Sequence, residues 1–216
     1  DTSMKKPKVG IVGEVLIKYH PFGNNFIAEK LEQEGAEVIL PDFMGFVKFM
    51  ATHKITFNTL IKTDKYKAKI FKLAIKLIDI LEKDERIALA NSKKGYLQPC
   101  DIWELEDKVK DILSIGNQTG EGWFLTGEMV KLIDEGVPNV ICLQPFGCLP
   151  NHITGKGVMH ELRESYAGAN LTAIDCDAGS SEVNQLNRIK LMLAVAKERG
   201  PKQENEAEKS SEGMRG

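Results

Sequence analysis

The loop that follows the apolar run Ile141–Leu143 carries the residues best suited to chemistry. The chain turns within Pro145–Gly147, and Cys148, Asn151 and His152 follow on an irregular segment before the next predicted helix. A loop that combines a thiol, an amide and an imidazole with Gly and Pro has backbone geometry to hold and polar groups to present. The segment therefore predicts a functional site and not a plain connection.

Cys148 is the strongest of the four cysteines as a functional thiol. It lies on this Gly/Pro loop shortly before a predicted helix N-terminus, whose positive end favours the thiolate that a nucleophile or an iron ligand needs. An ordinary buried loop cysteine is the alternative. His152 is placed to assist Cys148 as a base, although a structural histidine is equally compatible with its position.

The other three cysteines have weaker cases. Cys100 follows a proline on a loop and is the natural second candidate. Cys142 lies within a predicted strand and is expected to be a small core residue. Cys176 stands between Asp175 and Asp177, which should raise its pKa. The sequence has no CxxC pair, so it supports neither a zinc ribbon nor a thioredoxin-type motif.

Other motifs give little support to a nucleotide or cation site. The pattern Gly10-x-x-Gly13 lacks the third glycine of a dinucleotide fingerprint, and the chain has no Walker motif. The pair Asp175-x-Asp177 could hold a hard cation, although two strand-end aspartates more commonly cap the next loop.

Composition excludes several classes of protein. With 42% hydrophobic residues and a formal net charge of −2, the 216-residue chain can build a core and has no general attraction to nucleic acid. No apolar run reaches the roughly 18 residues that a membrane span needs, and the N-terminus lacks the apolar core of a signal peptide. We therefore expect a cytoplasmic protein with thiols, not disulfides, and with no membrane or nucleic-acid partner.

A strand–helix–strand unit opens the fold. Lys8–Ile17 predicts a buried parallel strand. A helix capped by Asn24 or Asn25 ends at Gly35, and Glu37–Leu40 predicts a second strand. This succession is typical of a βαβ unit.

Residues 43–115 predict a helical insertion without a convincing strand. The clearest pattern is one apolar face of an amphipathic helix, formed at helical spacing by Ile70, Leu73, Ala74, Leu77, Ile78 and Leu81. Six lysines from Lys62 to Lys76 indicate the solvated side of that helix. A nucleic-acid patch is less favoured because few aromatic residues lie among them.

Strands and helices alternate again after the insertion. We predict a helix over Trp123–Glu135, a strand over Asn139–Leu143, a helix over Gly157–Tyr166, a strand over Leu171–Asp175 and a helix over Ser181–Lys197. Four strands with intervening helices indicate an α/β fold with a doubly wound, mostly parallel four-stranded sheet and a helical insertion between strands 2 and 3. The domain would span residues 8–198. Residues 1–7 are expected to be an extension or an expression remnant, and 199–216 a disordered polar tail.

The strand-end loops predict where the polar side chains meet. In open α/β sheets, ligands bind beyond the carboxyl ends of the strands, near the point where strand order reverses. If strands 1 and 3 are neighbours, their loops place six polar side chains in one crevice: Glu14, His20, Asn24, Cys148, Asn151 and His152.

Three longer motifs resemble a known family. They are Gly116–Thr126 (GNQTGEGWFLT), the loop Cys142–His152, and Asp175–Arg188, which contains DCDAG and SEVNQLNR. Together they resemble the acyl-CoA dehydratase activase-related proteins, which are related to 2-hydroxyacyl-CoA dehydratases and their ATP-dependent activators. The resemblance covers Lys8 to Lys197. Members of that family are usually much longer, so it implies a separately expressed segment or small subunit that works with partner domains.

The resemblance implies the iron–sulfur chemistry of anaerobic metabolism. In the related dehydratases, three cysteines hold a [4Fe-4S] cluster with one iron open to substrate, and the activator ATPase supplies an electron. Cys148 stands where such a subunit presents a cluster ligand, and Cys100 and Cys142 are the further metal ligands considered. The segment Pro41–Gly45 lacks a cysteine where the dehydratases tend to have one, which leaves the set short of a complete site.

The leading hypothesis is an iron–sulfur-associated component of a 2-hydroxyacyl-CoA dehydratase/activase-type system that accepts or relays low-potential electrons. The residues expected to line the cofactor pocket are Glu14, Asn24, Gly120, Glu121, Gly122, Asn151 and His152. One alternative is a metal-free module that binds a phosphate- or CoA-bearing small molecule, such as an acyl-CoA, at helix N-termini. Another is a docking domain for the ATPase activator.

Overall fold

Short runs of Val, Ile and Leu form a four-stranded sheet, since β-branched and apolar side chains suit buried strands. The strands are β1 (Lys8–Gly13), β2 (Glu37–Ile39), β3 (Asn139–Gln144) and β4 (Asn170–Asp175). The structure is a computed structural model that describes residues 6–61, 65–92, 94 and 96–213.

Helices surround and interrupt the sheet. In chain order they are α1 (Val15–Tyr19), α2 (Ile27–Gln33), α3 (Phe43–Ile61), α4 (Lys65–Leu81), α5 (Lys83–Asn91), α6 (Ile102–Val109), α7 (Gly122–Asp134), α8 (Met159–Ser165) and α9 (Glu182–Gly213). A π-helical turn (Asn151–Gly155) and a 3-10 turn (Lys156–Val158) precede α8. The segment after β3 that the sequence predicts to be irregular is therefore partly wound into helical turns.

All four strands are parallel, in the order β2-β1-β3-β4. This confirms the predicted α/β fold and shows that strands 1 and 3 are neighbours, with Val12 opposite Cys142. The strand order reverses between β1 and β3. That switch point is where doubly wound sheets bind ligands.

Successive residues of a strand point to opposite sides of the sheet, so the apolar strands give the sheet two apolar faces. Helices cover both of them. Ile141 belongs to the apolar cluster formed with α2 and α9. Its neighbour Cys142 belongs to the cluster formed with α7 and α8. Cys142 is fully buried there, as expected for a core residue.

The helical insertion forms an apolar cluster of its own against α7. Phe49 of α3, Ile75 of α4 and Leu105 of α6 are buried with Trp123 and Phe124. The Phe49 ring stacks on the Phe124 ring with 5.4 Å between centroids. Among the described residues of 43–115, every regular element is a helix, in agreement with the sequence prediction.

A buried lysine fastens this insertion together. Lys48 of α3 is fully buried, and its Nζ donates to Glu82 Oε2 at 2.6 Å and contacts Asp79 Oδ1 at 2.8 Å. The same ammonium donates to the Cys100 carbonyl oxygen at 2.8 Å. A buried cation needs such partners. They tie α3 to the end of α4 and to the loop before α6.

The apolar face predicted for α4 is largely turned towards solvent. Ile70, Leu73 and Leu77 are 63%, 57% and 53% exposed, whereas Ile75 is buried. Asp79, the partner of Lys48, lies four residues after Ile75 and therefore on the same face of α4. The ion pair and the packing of Ile75 into the insertion core together determine which side of α4 faces inwards. No helix in the described part of the chain combines the length and apolar character needed to cross a membrane.

Two element boundaries differ from the prediction. β1 ends at Gly13 and not at Ile17, because Glu14 caps α1: its Oε2 accepts from the Ile17 N–H at 2.8 Å. α9 continues to Gly213, although composition predicts a disordered tail from residue 199. Eight of the twelve residues from Lys202 to Gly213 are Glu, Gln, Lys or Ala, which are strong helix formers, so this stretch favours a helix despite the preceding Gly200 and Pro201.

Side chains occupy the outer edge of β4. The carbonyl oxygens of Leu171 and Ala173 accept from Arg163 Nη2 and Arg188 Nη1, each at 2.7 Å. Arg163 lies on α8 and Arg188 on α9, so one arginine reaches this edge from each face of the sheet.

Candidate functional site

The chain turns sharply at the switch point where β1 ends. Gly13 has a φ of +138°, and a Cβ atom added there would lie 2.0 Å from the carbonyl oxygen of Leu143. Only glycine can therefore leave β1 this close to β3. The Glu14 N–H donates to the same oxygen at 3.0 Å, which holds the loop after β1 against the end of β3.

Three of the predicted pocket residues form a hydrogen-bonded network at this point. The Glu121 carboxylate accepts from the Val15 N–H through Oε1 at 3.0 Å. When the Asn151 amide is assigned so that its nitrogen faces Glu121, Oε2 also accepts from Asn151 Nδ2 at 2.9 Å. In the same amide orientation, Asn151 Oδ1 accepts from the Glu14 N–H at 3.0 Å. Asn151 and Glu121 are buried. The network joins the loops after β1 and β3 to the start of α7.

The network is acidic. Burial raises the pKa of Glu121, and the Glu14 carboxylate adds to that rise, while the hydrogen bond from Val15 opposes it. The carboxylates of Glu14 and Glu121 both lie in this part of the crevice, so a bound anion would face two negative groups. The network therefore suits a neutral or cationic group better than a phosphate.

The glycines on either side of Glu121 permit close packing. A Cβ atom at Gly120 would lie 2.9 Å from Pro150 Cγ, so the segment before α7 touches the loop after β3. Gly122 has a φ of +48°, and a Cβ atom there would lie 2.1 Å from the Asn117 carbonyl oxygen. Both glycines thus set the path of the chain that presents Glu121.

Asn24 and His152 lie outside this network. Asn24 is buried, its Nδ2 donates to the Ile17 carbonyl oxygen at 2.8 Å, and its Oδ1 accepts from the Ile27 N–H at 3.2 Å. It fastens α1 to the start of α2, as a helix cap would. His152 is half-buried, and its backbone N–H donates to the Cys148 carbonyl oxygen at 3.0 Å.

A buried ion pair next to the network has no counterpart among the residues predicted from sequence. Lys18 Nζ of α1 contacts both carboxylate oxygens of Glu128 on α7, at 2.6 and 2.9 Å. Both side chains are almost fully buried. The signal that could have indicated the pair is a single charge inside each of two mainly apolar runs, Val15–Tyr19 and Trp123–Val130.

Burial dominates the electrostatics of this pair. Burial raises the pKa of Glu128. The Lys18 ammonium lowers this pKa, and the Asp42 carboxylate raises it further. Burial, followed by the charges of Glu128 and Asp42, also raises the pKa of Tyr19 far above its ordinary value. Tyr19 is therefore a neutral phenol at physiological pH. Lys18 Nζ lies 4.8 Å from the centroid of its ring.

A cavity of about 110 Å³ lies beside the ion pair, beyond the end of β2 and between α7 and the helical insertion. Its walls are mainly apolar and include Leu40, Leu89, Leu97, Leu105, Phe124 and Leu132. The polar residues that line it are Asp42, Glu85, Gln98, Cys100, Glu128 and Lys131. An apolar pocket with a few polar groups is the usual form of a small-molecule site.

The polar groups of the cavity are partly engaged already. Lys131 Nζ donates to the Gln98 carbonyl oxygen at 2.7 Å, and Asp42 Oδ1 accepts from the Gly45 N–H at 2.8 Å. Burial raises the pKa of Cys100 to about 12, so its thiol is protonated at neutral pH. The cavity thus presents a neutral thiol, an ammonium and three carboxyl groups beside apolar walls.

The predicted metal ligands Cys100, Cys142 and Cys148 lie in different surroundings. Cys100 is buried in the cluster of the insertion and Cys142 on the α7/α8 face of the sheet, and burial raises the pKa of both to about 12. Cys176 lies on the opposite face, where burial and the flanking aspartates raise its pKa to about 11. Cys148 is half-buried on its loop. Within the described residues, no three His, Cys, Asp or Glu side chains are grouped as a metal site requires.

An open cleft of about 420 Å³ lies between β4 and α9. It is mostly polar and is lined by Asp175, Ser180, Ser181, Asn184, Asn187 and Arg188. Gln185 is buried beneath it; its Nε2 donates to the Asp175 carbonyl oxygen at 2.8 Å, and its Oε1 accepts from Asn25 Nδ2 at 2.9 Å. The motif at 181–188 therefore links the loops after β1 and β4 and forms a polar surface at the side of the sheet.

A scan against protein-family models, a search of curated proteins and a search of solved structures each found no match for this chain. The resemblance to the acyl-CoA dehydratase activase-related proteins thus stays a prediction from its motifs. The function is inferred below from the site itself.

Proposed function

We propose that this domain is a binding module for a small molecule of the acyl-CoA class, whose acyl group enters the cavity between α7 and the helical insertion and whose phosphates stay away from the acidic network of Glu14 and Glu121. The observation that carries the proposal is the apolar cavity beside the Lys18–Glu128 pair, at the carboxyl end of β2. The four cysteines are free thiols, which supports a cytoplasmic location for this activity.

The size and walls of the cavity support a short hydrocarbon group. Its volume of about 110 Å³ is somewhat below the roughly 150 Å³ of an apolar cavity that takes up benzene. Leucine side chains and Phe124 form most of its wall, so an acyl chain would replace empty space with dispersion contacts.

Lys131 supports recognition of a carbonyl group at this site. An ammonium has three donors. Two of those of Lys131 reach the Gln98 carbonyl oxygen and Glu135 Oε1, each at 2.7 Å. The third can donate to a thioester carbonyl oxygen. Because the Cys100 thiol is neutral, the thioester can approach it without charge repulsion.

Calorimetric titration of the full chain with butyryl-CoA and with free CoA tests this proposal. We expect butyryl-CoA to bind more tightly than CoA. Leu89→Trp, which fills the cavity from α5, should weaken butyryl-CoA binding about tenfold. Ile87→Trp is the matched control, because Ile87 is on the same helix, is half-exposed and does not line the cavity. Equal affinity for the two compounds, or an unchanged affinity in Leu89→Trp, would contradict the proposal.

An iron–sulfur cluster is the second candidate, and the position of Cys148 favours it. Cys148 is the one thiol that is not deeply buried, and it lies on a loop at the switch point. The described residues do not fit a complete cluster site, since a cluster generally needs three or four thiolates and Cys100 and Cys142 lie in separate apolar clusters. A cluster would therefore take its other ligands from another chain. The docking-domain alternative also stays a prediction.

Iron and acid-labile sulfide, measured after anaerobic purification, test the second candidate. We expect iron in the wild-type protein to be lost in Cys148→Ser and kept in Cys176→Ser, whose thiol is buried on the opposite face of the sheet. A Cys148→Ser protein with full iron content would remove it, whereas a wild-type protein that stays colourless after reconstitution would mean that this chain alone does not hold a cluster.

A further inference from the structure

The exposed side of α4 carries a regular apolar stripe that lies outside the proposed ligand site. Ile70, Leu73, Leu77 and Ile80 follow one another at alternating intervals of three and four residues. Each of these side chains is more than half exposed. This spacing is that of the seam of a coiled coil. The opposite side of the helix, which includes Ile75, packs into the insertion.

Lysines border one side of this stripe. Lys69, Lys72 and Lys76 fall along one side of it at 3.6 residues per turn. None of the three forms an ion pair with another described residue. Asp79 is the single acidic residue in the sequence of α4, and it contacts the buried Lys48 at 2.8 Å. The stripe therefore combines apolar seam positions with uncompensated positive charge.

We propose that the α4 stripe binds an acidic amphipathic helix of a partner protein. Apolar side chains of that helix would pack between Ile70, Leu73 and Leu77, and Glu or Asp residues at its border would pair with the lysines. This interaction surface is independent of the proposed acyl-CoA site.

Charge favours this occupant over two others. A second copy of this chain would add the same lysine border and no acidic one, so like charges would meet. The chain as a whole carries a net charge of −2, which gives it no general attraction to an anionic membrane surface.

Fluorescence anisotropy with two labelled helical peptides tests the proposal on the full chain. Both peptides carry Leu and Ile at the seam positions, and one has Glu and the other Lys at the flanking positions. We expect the acidic peptide to bind about tenfold more tightly than the basic one at low salt, with the difference shrinking as salt screens the charges.

Substitutions in α4 separate the charge from the seam. The triple variant Lys69→Glu/Lys72→Glu/Lys76→Glu should reverse the preference towards the basic peptide. The control Lys6→Glu/Lys156→Glu/Lys190→Glu makes the same change in net charge elsewhere and should keep the wild-type preference. Leu73→Asn/Leu77→Asn should abolish binding of both peptides, whereas Val183→Asn/Leu191→Asn, at exposed positions of α9, should not.

Three outcomes would overturn the proposal. The first is equal binding of the two peptides by the wild-type protein. The second is a dimer in sedimentation that Leu73→Asn/Leu77→Asn converts to a monomer, which would assign the stripe to a second copy. The third is binding to anionic phosphatidylserine vesicles without binding to the acidic peptide, which would assign it to a membrane surface.

Discussion

At the scale of single residues, Lys18 and Glu128 make the most consequential contact near the switch point. Each charge is almost fully shielded from water, so each depends on the other for compensation. Pairs of this kind cost little while they are complete and much when one partner is removed, because the remaining ion keeps its desolvation penalty.

Replacing Lys18 with Met should destabilise the domain by about 3–5 kcal/mol, because it leaves the Glu128 carboxylate buried and alone. Urea unfolding at pH 7 measures the loss. Lys30→Met is the matched control, since Lys30 pairs with the exposed Glu182 and such surface pairs contribute about 0–1 kcal/mol. The double variant Lys18→Met/Glu128→Leu should recover most of the loss. Equal losses in the two single variants would show that the buried pair has no special weight.

The loss in Lys18→Met should shrink as the pH is lowered. Burial already raises the folded-state pKa of Glu128, and removing the opposing Lys18 charge raises it further. The folded carboxyl then keeps its proton at pH values where the unfolded one, with a pKa of about 4.3, has lost it. Stability therefore falls as pH rises through the interval between these two pKa values and is greatest below it. A loss of the same size at pH 7 and about pH 5 would contradict this account.

At the scale of elements, α6 shows a helix whose start is set by one side chain. Asp101 Oδ1 accepts from the N–H groups of Trp103 and Glu104 at 3.0 and 3.2 Å. The helix then buries Ile102, Leu105 and Val109 in the insertion. The cap thus fixes the entry of a helix that forms part of the cavity wall.

Asp101→Ala should cost about 1 kcal/mol in the free energy of unfolding, because two N–H groups at the start of α6 lose their acceptor. Asp107→Ala provides the comparison within the same helix, since Asp107 is largely exposed and should change stability by less than about 0.5 kcal/mol. Thermal or urea unfolding distinguishes the two. A similar effect of both substitutions would mean that the cap does not hold the helix.

Periodicity could locate α4 but could not orient it. Ile70, Leu73 and Leu77 repeat at helical spacing, which predicts a helix correctly. The inward side is chosen by Ile75 and by the contact between Asp79 and Lys48, a residue of a different helix. Because that contact joins distant parts of the sequence, the pattern within α4 alone could not reveal it.

At the scale of the whole molecule, the sheet could be predicted from sequence and much of the site could not. Apolar runs and turn residues were sufficient for the four strands and the helical insertion, and chain direction then brought Glu14 and Asn151 to the same edge. The Lys18–Glu128 pair joins residues 110 positions apart, and the cavity forms where four segments meet. The cavity depends on how the insertion docks on α7, and the ion pair on how α1 approaches α7; no local pattern encodes either.

The two arginines on β4 have a consequence for how this domain meets other molecules. A strand from a neighbouring chain could pair with β4 only after displacing Arg163 and Arg188 from the Leu171 and Ala173 carbonyl oxygens. Edge strands whose N–H and C=O groups are unoccupied are where sheets join into aggregates. At the β4 edge, the two charged side chains and the occupied carbonyl oxygens oppose the addition of a fifth strand. Larger assemblies would have to grow through surfaces other than the β4 edge.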